Sequence, residues 1–137
     1  YRIHSQLDNT WVRNLYKIQG REPVVINNED AKKLGINHGE VVEVYNERGS
    51  LLAGAFVTDK IMPGVVSIQE GAWYDPEDIN DSKPRCNAGH VNVLTSSRPT
   101  STMAQATSVN TCLVAIRKVK DAVKPYKSTT PPEIIGA

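Results

Sequence analysis

From Ile36 to Lys60 the chain reads INHGEVVEVYNERGSLLAGAFVTDK. Val42 and Val44 alternate with polar neighbours, and apolar positions resume beyond a polar break from Asn46 to Ser50. Period-two alternation on both sides of a short turn predicts a β-hairpin, with Gly49 expected to take the positive φ that such turns favour. A hairpin buries only one face and leaves two edges unpaired. The rest of the chain must therefore supply further strands and a cover.

Those strands are legible. EPVVIN, from Glu22, reads as a short strand before the hairpin, and VVSIQEG, beyond the turn at Met62-Pro63-Gly64, as another. TCLVAIRKV, from Thr111, reads as a final strand. Between the first strand and the hairpin, Asn28 is the expected N-cap of a helix, NEDAKKL. Glu29 and Asp30 favour its first turn, and Gly35 is suited to a left-handed stop. Asp8, Asn9 and Thr10 could cap a second short helix, WVRNLYKI, that ends at Gly20. Many short strands with one or two short helices predict a mainly β fold, a small barrel whose closure removes the sheet edges.

From Asp75 to Thr111 the composition turns to Ser, Thr, Asn and Pro. VNVL and MAQA interrupt it with apolar residues that a solvated linker would not need, so we expect a long ordered loop lying over the barrel. Residues 1–124 are expected to form the barrel and residues 125–137 a C-terminal tail. The size, 137 residues, fits one such unit without a metal or disulfide framework. The longest apolar run, Leu51 to Val57, is too short to cross a bilayer as a helix. The chain opens on Tyr1 within what reads as folded sequence, so it is expected to be a piece of something longer.

Charge is uneven. Residues 1–81 carry 8 basic and 13 acidic side chains, whereas residues 82–137 carry 8 basic and 2 acidic ones. A basic second half is compatible with an anionic partner, but five of its bases lie between Arg117 and Lys127 and read most simply as a solvated tail. Arg85 and Arg98 stand apart from that run. Cys86 and Cys112 form no zinc or C-x-x-C spacing, and Cys112, within an apolar run, reads as a small buried hydrophobe.

No phosphate-binding glycine loop, dinucleotide fingerprint or zinc-protease helix is present. His4, His38 and His90 lie far apart without a ligand-spaced partner, and His38 reads as a solvated turn residue. Gly49-Ser50 resembles the self-cleaved bond of pyruvoyl enzymes, but a hairpin turn asks for the same pair. What remains is a set of neutral polar clusters: His4 to Gln6, Trp73 to Asp75, Asn92 to Thr95, Thr100 to Gln105 and Ala106 to Asn110. Hydroxyls and amides suit the edges of a polar heterocycle, aromatic rings suit its faces, and Arg98 with loop N–H groups could hold a phosphate. Trp73 and Tyr74, in EGAWYDP, sit where a strand ends and water can reach. Both a ligand rim and a simple cap of the barrel fit that placement.

The ordered series RIHSQL, GREPVVIN, AKKLGINHGEVVEVYNERGSLLAGAFVTD, GVVSIQEGAWYDP, NVLT and MAQATSVNTCLV resembles one family over nearly the whole chain, from Arg2 to about Lys120. It is similar to the C-terminal dinucleotide-binding domain of molybdenum oxidoreductases of the dimethyl sulfoxide reductase family. Within that family the trimethylamine N-oxide and biotin sulfoxide reductases are nearest in pattern. The resemblance implies a double-psi β-barrel that holds part of bis(molybdopterin guanine dinucleotide). It also implies a parent enzyme performing two-electron oxygen-atom transfer from N-oxides or S-oxides, with a cytochrome-like electron donor. By motif it places His4, Ser5, Gln6, Trp73, Tyr74, Asp75, Asn92, Leu94, Thr95, Gln105 and Thr107 against the cofactor. Ser97 stands where an acid often follows the N-x-L-T threonine, which separates Ser97 and Arg98 from the family pattern.

The serine that ligates molybdenum in this family belongs to another domain. No residue here is therefore expected to be catalytic or to bind metal, and the isolated fragment is expected to be inactive. The partners implied are the remaining domains of the parent reductase. Neither nucleic acid nor membrane insertion is expected, although a stand-alone barrel binding nucleic acid or a protein through its basic half is the competing reading. Family members of this pattern are mostly exported, which implies the periplasm while leaving the cytoplasm open.

Overall fold

A computed structural model describes residues 11–106, 108, 112–125, 127 and 134–135. Helix α1, Trp11–Asn14, is a single turn. It stops well short of Gly20 because Gln19 adopts a left-handed φ of 49° and Ile18 pairs with Arg21 across a tight bridge. Strand β1, Pro23–Asn27, leads into helix α2, Asn28–Leu34. The N-cap is Asn27 rather than Asn28: its side chain accepts from the Glu29 N–H at 2.8 Å, and its own backbone is still extended. Gly35 ends α2 in the left-handed conformation at φ 65°, which a side chain would strain.

The hairpin is formed by β2, Val41–Tyr45, and β3, Ser50–Thr58, with Val44 opposite Leu51 and Tyr45 opposite Ser50. Asn46 donates its N–H to the Gly49 carbonyl at 3.0 Å and closes the turn. Gly49 does not take the expected positive φ. It is needed for space instead, since a Cβ there would lie 2.8 Å from the Val93 carbonyl oxygen.

Strand β4, Val66–Ile68, follows the Met62–Gly64 turn, and β5, Ala115–Lys118, follows the long loop. The five strands make one mixed sheet in the order β4-β1-β3-β2-β5. β1 runs parallel to β3, and the other neighbours are antiparallel. Across the described residues this sheet is open, with β4 and β5 at its edges.

β3 is central, and Leu51 to Ala55 are buried without interruption because both its faces are covered. On one face Leu51, Ala53 and Ala55 join Val24, Ile26, Val42, Val44 and Ile36 in the main core. Leu52 points to the other face beside its β2 partner Glu43, and the loop joins the edge of β3 that β1 leaves open: Leu52 N–H donates to Cys86 O at 2.8 Å and Cys86 N–H to Ser50 O at 3.0 Å, a parallel bridge in the plane of the sheet. Where it is described, the loop extends the sheet through Cys86 and lends Cys86, Ala88 and Leu94 to the core, and it carries a 3-10 helix at Val91–Val93.

Glu43 is buried and charged, a state that requires partners. Arg117 Nε donates to it at 2.8 Å and Arg85 approaches at 3.7 Å. Arg85 also grips Glu77 through Nε at 2.9 Å and Nη2 at 2.8 Å. Arg85 is therefore a clamp between loop and sheet rather than a free anion-binding base. Glu77 raises its pKa first, through the hydrogen bond. Lys118 pairs with Glu40 at 3.3 Å, so two of the tail bases also answer carboxylates on or beside β2.

Candidate functional site

The 3-10 helix and the turn after it set Asn92, Leu94 and Thr95 along a cleft of about 320 Å³ that β4 and Val114 also line. Leu94 is buried and anchors that segment in the core, while Asn92 stays exposed. The Thr95 hydroxyl donates to the Asn92 carbonyl at 3.1 Å, which stiffens the turn and leaves its oxygen free to accept. The Asn92 amide has no hydrogen bond among the described residues. Val66, Ile68, Val91 and Val114 make the walls apolar, so the cleft pairs a polar lip with a greasy slot.

The aromatic rim meets this segment through His90. Its Nδ1 lies 2.7 Å from the Ala72 carbonyl oxygen, and its ring centroid lies 5.8 Å from that of Tyr74. Trp73 and Tyr74 remain 41% and 46% exposed, too open for core residues and placed as a rim. Partial burial raises the Tyr74 phenol pKa, with Cys86 adding to the effect, so it stays a hydrogen-bond donor at neutral pH.

A second, more polar cleft of about 360 Å³ adjoins the first, with Cys112 lining both. Glu47, Arg48, Ser96, Arg98 and Ser108 line it, with Glu47 paired to Arg48. The Arg98 guanidinium is exposed and donates no hydrogen bond among the described residues, although its backbone N–H is tied to Ser96 Oγ at 3.1 Å. Cys112 packs against the core as expected, though only partly buried. It also donates Sγ–H to the Leu94 carbonyl at 2.9 Å and accepts from Asn46 Nδ2 at 3.2 Å.

Of the residues expected at a ligand, Asn92, Leu94 and Thr95 converge on one cleft, and Trp73 and Tyr74 join them through His90. Asp75 does not face it in this way. Its carbonyl accepts the Asn87 N–H at 2.7 Å, and its carboxylate accepts from Asn87 Nδ2 at 3.4 Å and the Lys127 N–H at 3.1 Å. Buried Asn87 also takes Arg21 Nη2 at 2.7 Å and donates to the Pro125 carbonyl at 2.9 Å, fastening the chain near residue 125 to the sheet. Burial pulls the Arg21 pKa down, and Glu77 and Asp75 offset part of that.

Gln105 lies in an exposed turn closed by Thr100 N–H on Ala106 O at 2.8 Å, and it lines neither cleft. His4, Ser5, Gln6 and Thr107 lie outside the described residues. His38 is the exposed turn residue expected, and it also braces β3: its Nδ1 accepts from the Val57 N–H at 3.2 Å and its ring meets Phe56 edge-on at 5.1 Å. Sequence reasoning missed His90, Asn46 and Asn87. Only His90 carried a signal, its place two residues before Asn92.

An unpartnered amide, a hydroxyl, an apolar slot and an adjacent guanidinium are the donor set that a pterin joined to a nucleotide through phosphates would use, and each cleft is within the size range of ligand sites, about 300–1,000 Å³. The residues present fit such a group. Among the described residues no cluster of three or more His, Cys, Asp or Glu is placed to hold a metal ion. No helix among them is long and apolar enough to cross a membrane.

The family model described as "Molydopterin dinucleotide binding domain" matches residues 1–113. The chain is 50% identical over 119 residues to a trimethylamine-N-oxide reductase of Haemophilus influenzae, covering 86% of this chain and 14% of that protein. It is 48% identical over 125 residues to trimethylamine-N-oxide reductase 1 of Escherichia coli K12, covering 90% of this chain and 15% of that protein. This chain therefore spans about one-seventh of the length of these relatives. In fold it is similar to acetylene hydratase from Pelobacter acetylenicus, with a TM-score of 0.65 at 14% identity over 86% of this chain and 17% of that one.

Proposed function

The chain belongs to the molydopterin dinucleotide binding domain family, and from that premise we propose that it is the cofactor-holding part of a molybdenum-dependent trimethylamine N-oxide or S-oxide reductase. The observation that carries this reading is the convergence of Asn92, Leu94 and Thr95 on one cleft, beside a second cleft that carries Arg48 and Arg98. The group it would hold is part of bis(molybdopterin guanine dinucleotide), which when bound supplies two-electron oxygen-atom transfer. Its metal ligand lies outside this chain.

In this reading the chain binds and orients but performs no bond-breaking step. The Asn92 amide and Thr95 hydroxyl meet polar ring edges, and Val66, Ile68 and Val114 exclude water from ring faces. Arg98, helped by Ser96, meets the phosphates of the dinucleotide. Trp73 and Tyr74 cover the outer side. His4, Ser5, Gln6, Gln105 and Thr107 complete the set on the strength of the motif resemblance. Asp75 acts at one remove, through Asn87.

The unit as a whole is proposed to be a double-psi β-barrel, which the parallel β1–β3 pairing within an otherwise antiparallel sheet supports. The parent enzyme is proposed to work in the periplasm with a cytochrome-like donor, as the resemblance implies. Fractionation of cells making the full enzyme, followed by assay of periplasm and cytoplasm, tests the location.

The test of the cofactor reading is Asn92→Ala combined with Gln105→Ala in the full-length enzyme. Molybdenum and guanine nucleotide bound per chain should both fall several-fold. Wild-type content of both would sink the assignment.

A further inference from the structure

The turn between β2 and β3 reaches further than a hairpin requires. The Asn46 Nδ2 donates to the Leu94 carbonyl at 2.8 Å, to Cys112 Sγ at 3.2 Å and to the Leu113 carbonyl at 3.3 Å. Arg48 Nε donates to the same Leu94 carbonyl at 2.7 Å, and Cys112 Sγ–H joins it at 2.9 Å. One carbonyl thus receives three donors from two other segments. Gly49, directly below, lets Val93 approach closer than any side chain would permit. Leu94, Cys112 and Val114 all line the cleft. Cys112 Sγ–H on the Leu94 carbonyl joins these two loop segments directly, and Asn46 and Arg48 brace that junction from the β2–β3 turn.

We propose that Asn46 is a positioning residue for the dinucleotide cleft. Its side-chain amide, with Arg48, braces the junction of the Asn92–Thr95 and Cys112–Val114 segments that line the cleft and so holds the cleft's shape. The inference deepens the cofactor-holding role and rests on it. The division of labour within Asn46 makes it testable. Oδ1 serves the turn, accepting the Arg48 N–H at 2.9 Å and the Gly49 N–H at 3.3 Å, while Nδ2 serves the junction. Asn46→Asp keeps the first function and removes the second, placing a carboxylate oxygen against the Leu94 carbonyl, which cannot donate to it.

The experiment uses the full-length reductase, with three readouts on each variant: the release rate of the guanine dinucleotide, the rate of Cys112 alkylation by peptide mass, and the melting temperature. Asn46→Asp should release the dinucleotide roughly tenfold faster and expose Cys112 to alkylation, with little change in melting temperature. Asn92→Ala should speed release while leaving Cys112 alkylation at its wild-type rate, because it removes a ligand contact and not the tie. If Asn92→Ala has no effect on release, the cofactor reading fails. If Asn92→Ala acts and Asn46→Asp leaves release and alkylation unchanged, or changes them only in proportion to lost melting temperature, the positioning role alone is overturned. Should Asn46→Asp not assemble, Arg48→Ala removes one of the three donors and Arg48→Lys restores one. The same increase in alkylation, reversed by the lysine, is then expected, and its absence overturns the proposal.

Discussion

His90 donates from Nδ1 to the carbonyl of Ala72 at 2.7 Å and sets its ring 5.8 Å from that of Tyr74, linking the aromatic rim to the segment that carries Asn92. A carbonyl can only accept, so Nδ1 holds the hydrogen. His90→Ala should free residues 72–75 from residues 90–95 at a cost of about 1 kcal/mol for the bond itself. Hydrogen exchange of the peptide spanning Ala72 should speed up, and the core strand β3 should stay protected. Unchanged exchange at Ala72 would show that the rim is held by other contacts.

Asp75 matches a residue expected at the ligand, but its bonds run to Asn87 and Lys127. Asp75→Asn should therefore lower stability, by about 1–3 kcal/mol for disturbing a charge-assisted network. Its bound guanine nucleotide should stay close to wild type once the protein is folded. Nucleotide loss without a fall in melting temperature would return Asp75 to the ligand set.

Gly35 and Gly49 are required for different reasons, and alanine separates them. At Gly35 nothing lies within 4 Å of a new Cβ, so Gly35→Ala meets only the left-handed backbone, a cost of about 1 kcal/mol. At Gly49 the backbone is permissive, but the Cβ would stand 2.8 Å from Val93 O, and overpacking of this kind costs about 1–3 kcal/mol. Chemical denaturation should rank Gly49→Ala as the more damaging. Only that variant should also change retention of the dinucleotide.

Glu40 is held below the usual carboxylate pKa, first by the Asn37 N–H at 2.9 Å, then by the Asn37 amide, with Lys118 contributing. A depressed acid contributes stability above its unfolded pKa, about 4.3, and that contribution is lost as pH falls through its lower folded value. Glu40→Gln should therefore flatten the acid limb of stability below about pH 4 and change little at neutral pH, because the site is solvent-screened. An acid limb that matches wild type would assign the pH dependence to other carboxylates.

The Leu51 side chain lies fully buried in the central strand. Leu51→Ala should cost about 2–5 kcal/mol, measured by denaturation. A smaller loss would mean that the loop beside β3 collapses into the space.

Much of this molecule was legible in advance wherever a signal is local. The hairpin followed from alternation around Asn46–Ser50, α2 from its acids and Gly35, and the Met62–Gly64 turn from Pro-Gly. The exposed rim followed from aromatics set beside turn residues. Errors arose where a neighbour distant in sequence decides. WVRNLYKI has the apolar spacing of a longer helix, yet the Ile18–Arg21 bridge stops it. Gly49 looked like a turn glycine and proved to be a gap for Val93. Arg85 looked like a base free for an anion and is taken up by Glu77 and Glu43.

By itself the sequence determined the elements, their turns and the motif order that marks the family, because propensity, capping and periodicity act over a few residues. Only the tertiary structure decided that β1 lies parallel to β3 with the hairpin folded outside it, and that Asn46, Leu94 and Cys112 share one carbonyl. Strand order and long-range hydrogen bonds are settled by which faces must be buried and which polar groups must be paired. Those demands are met between residues some 50 to 70 positions apart, which no local pattern encodes.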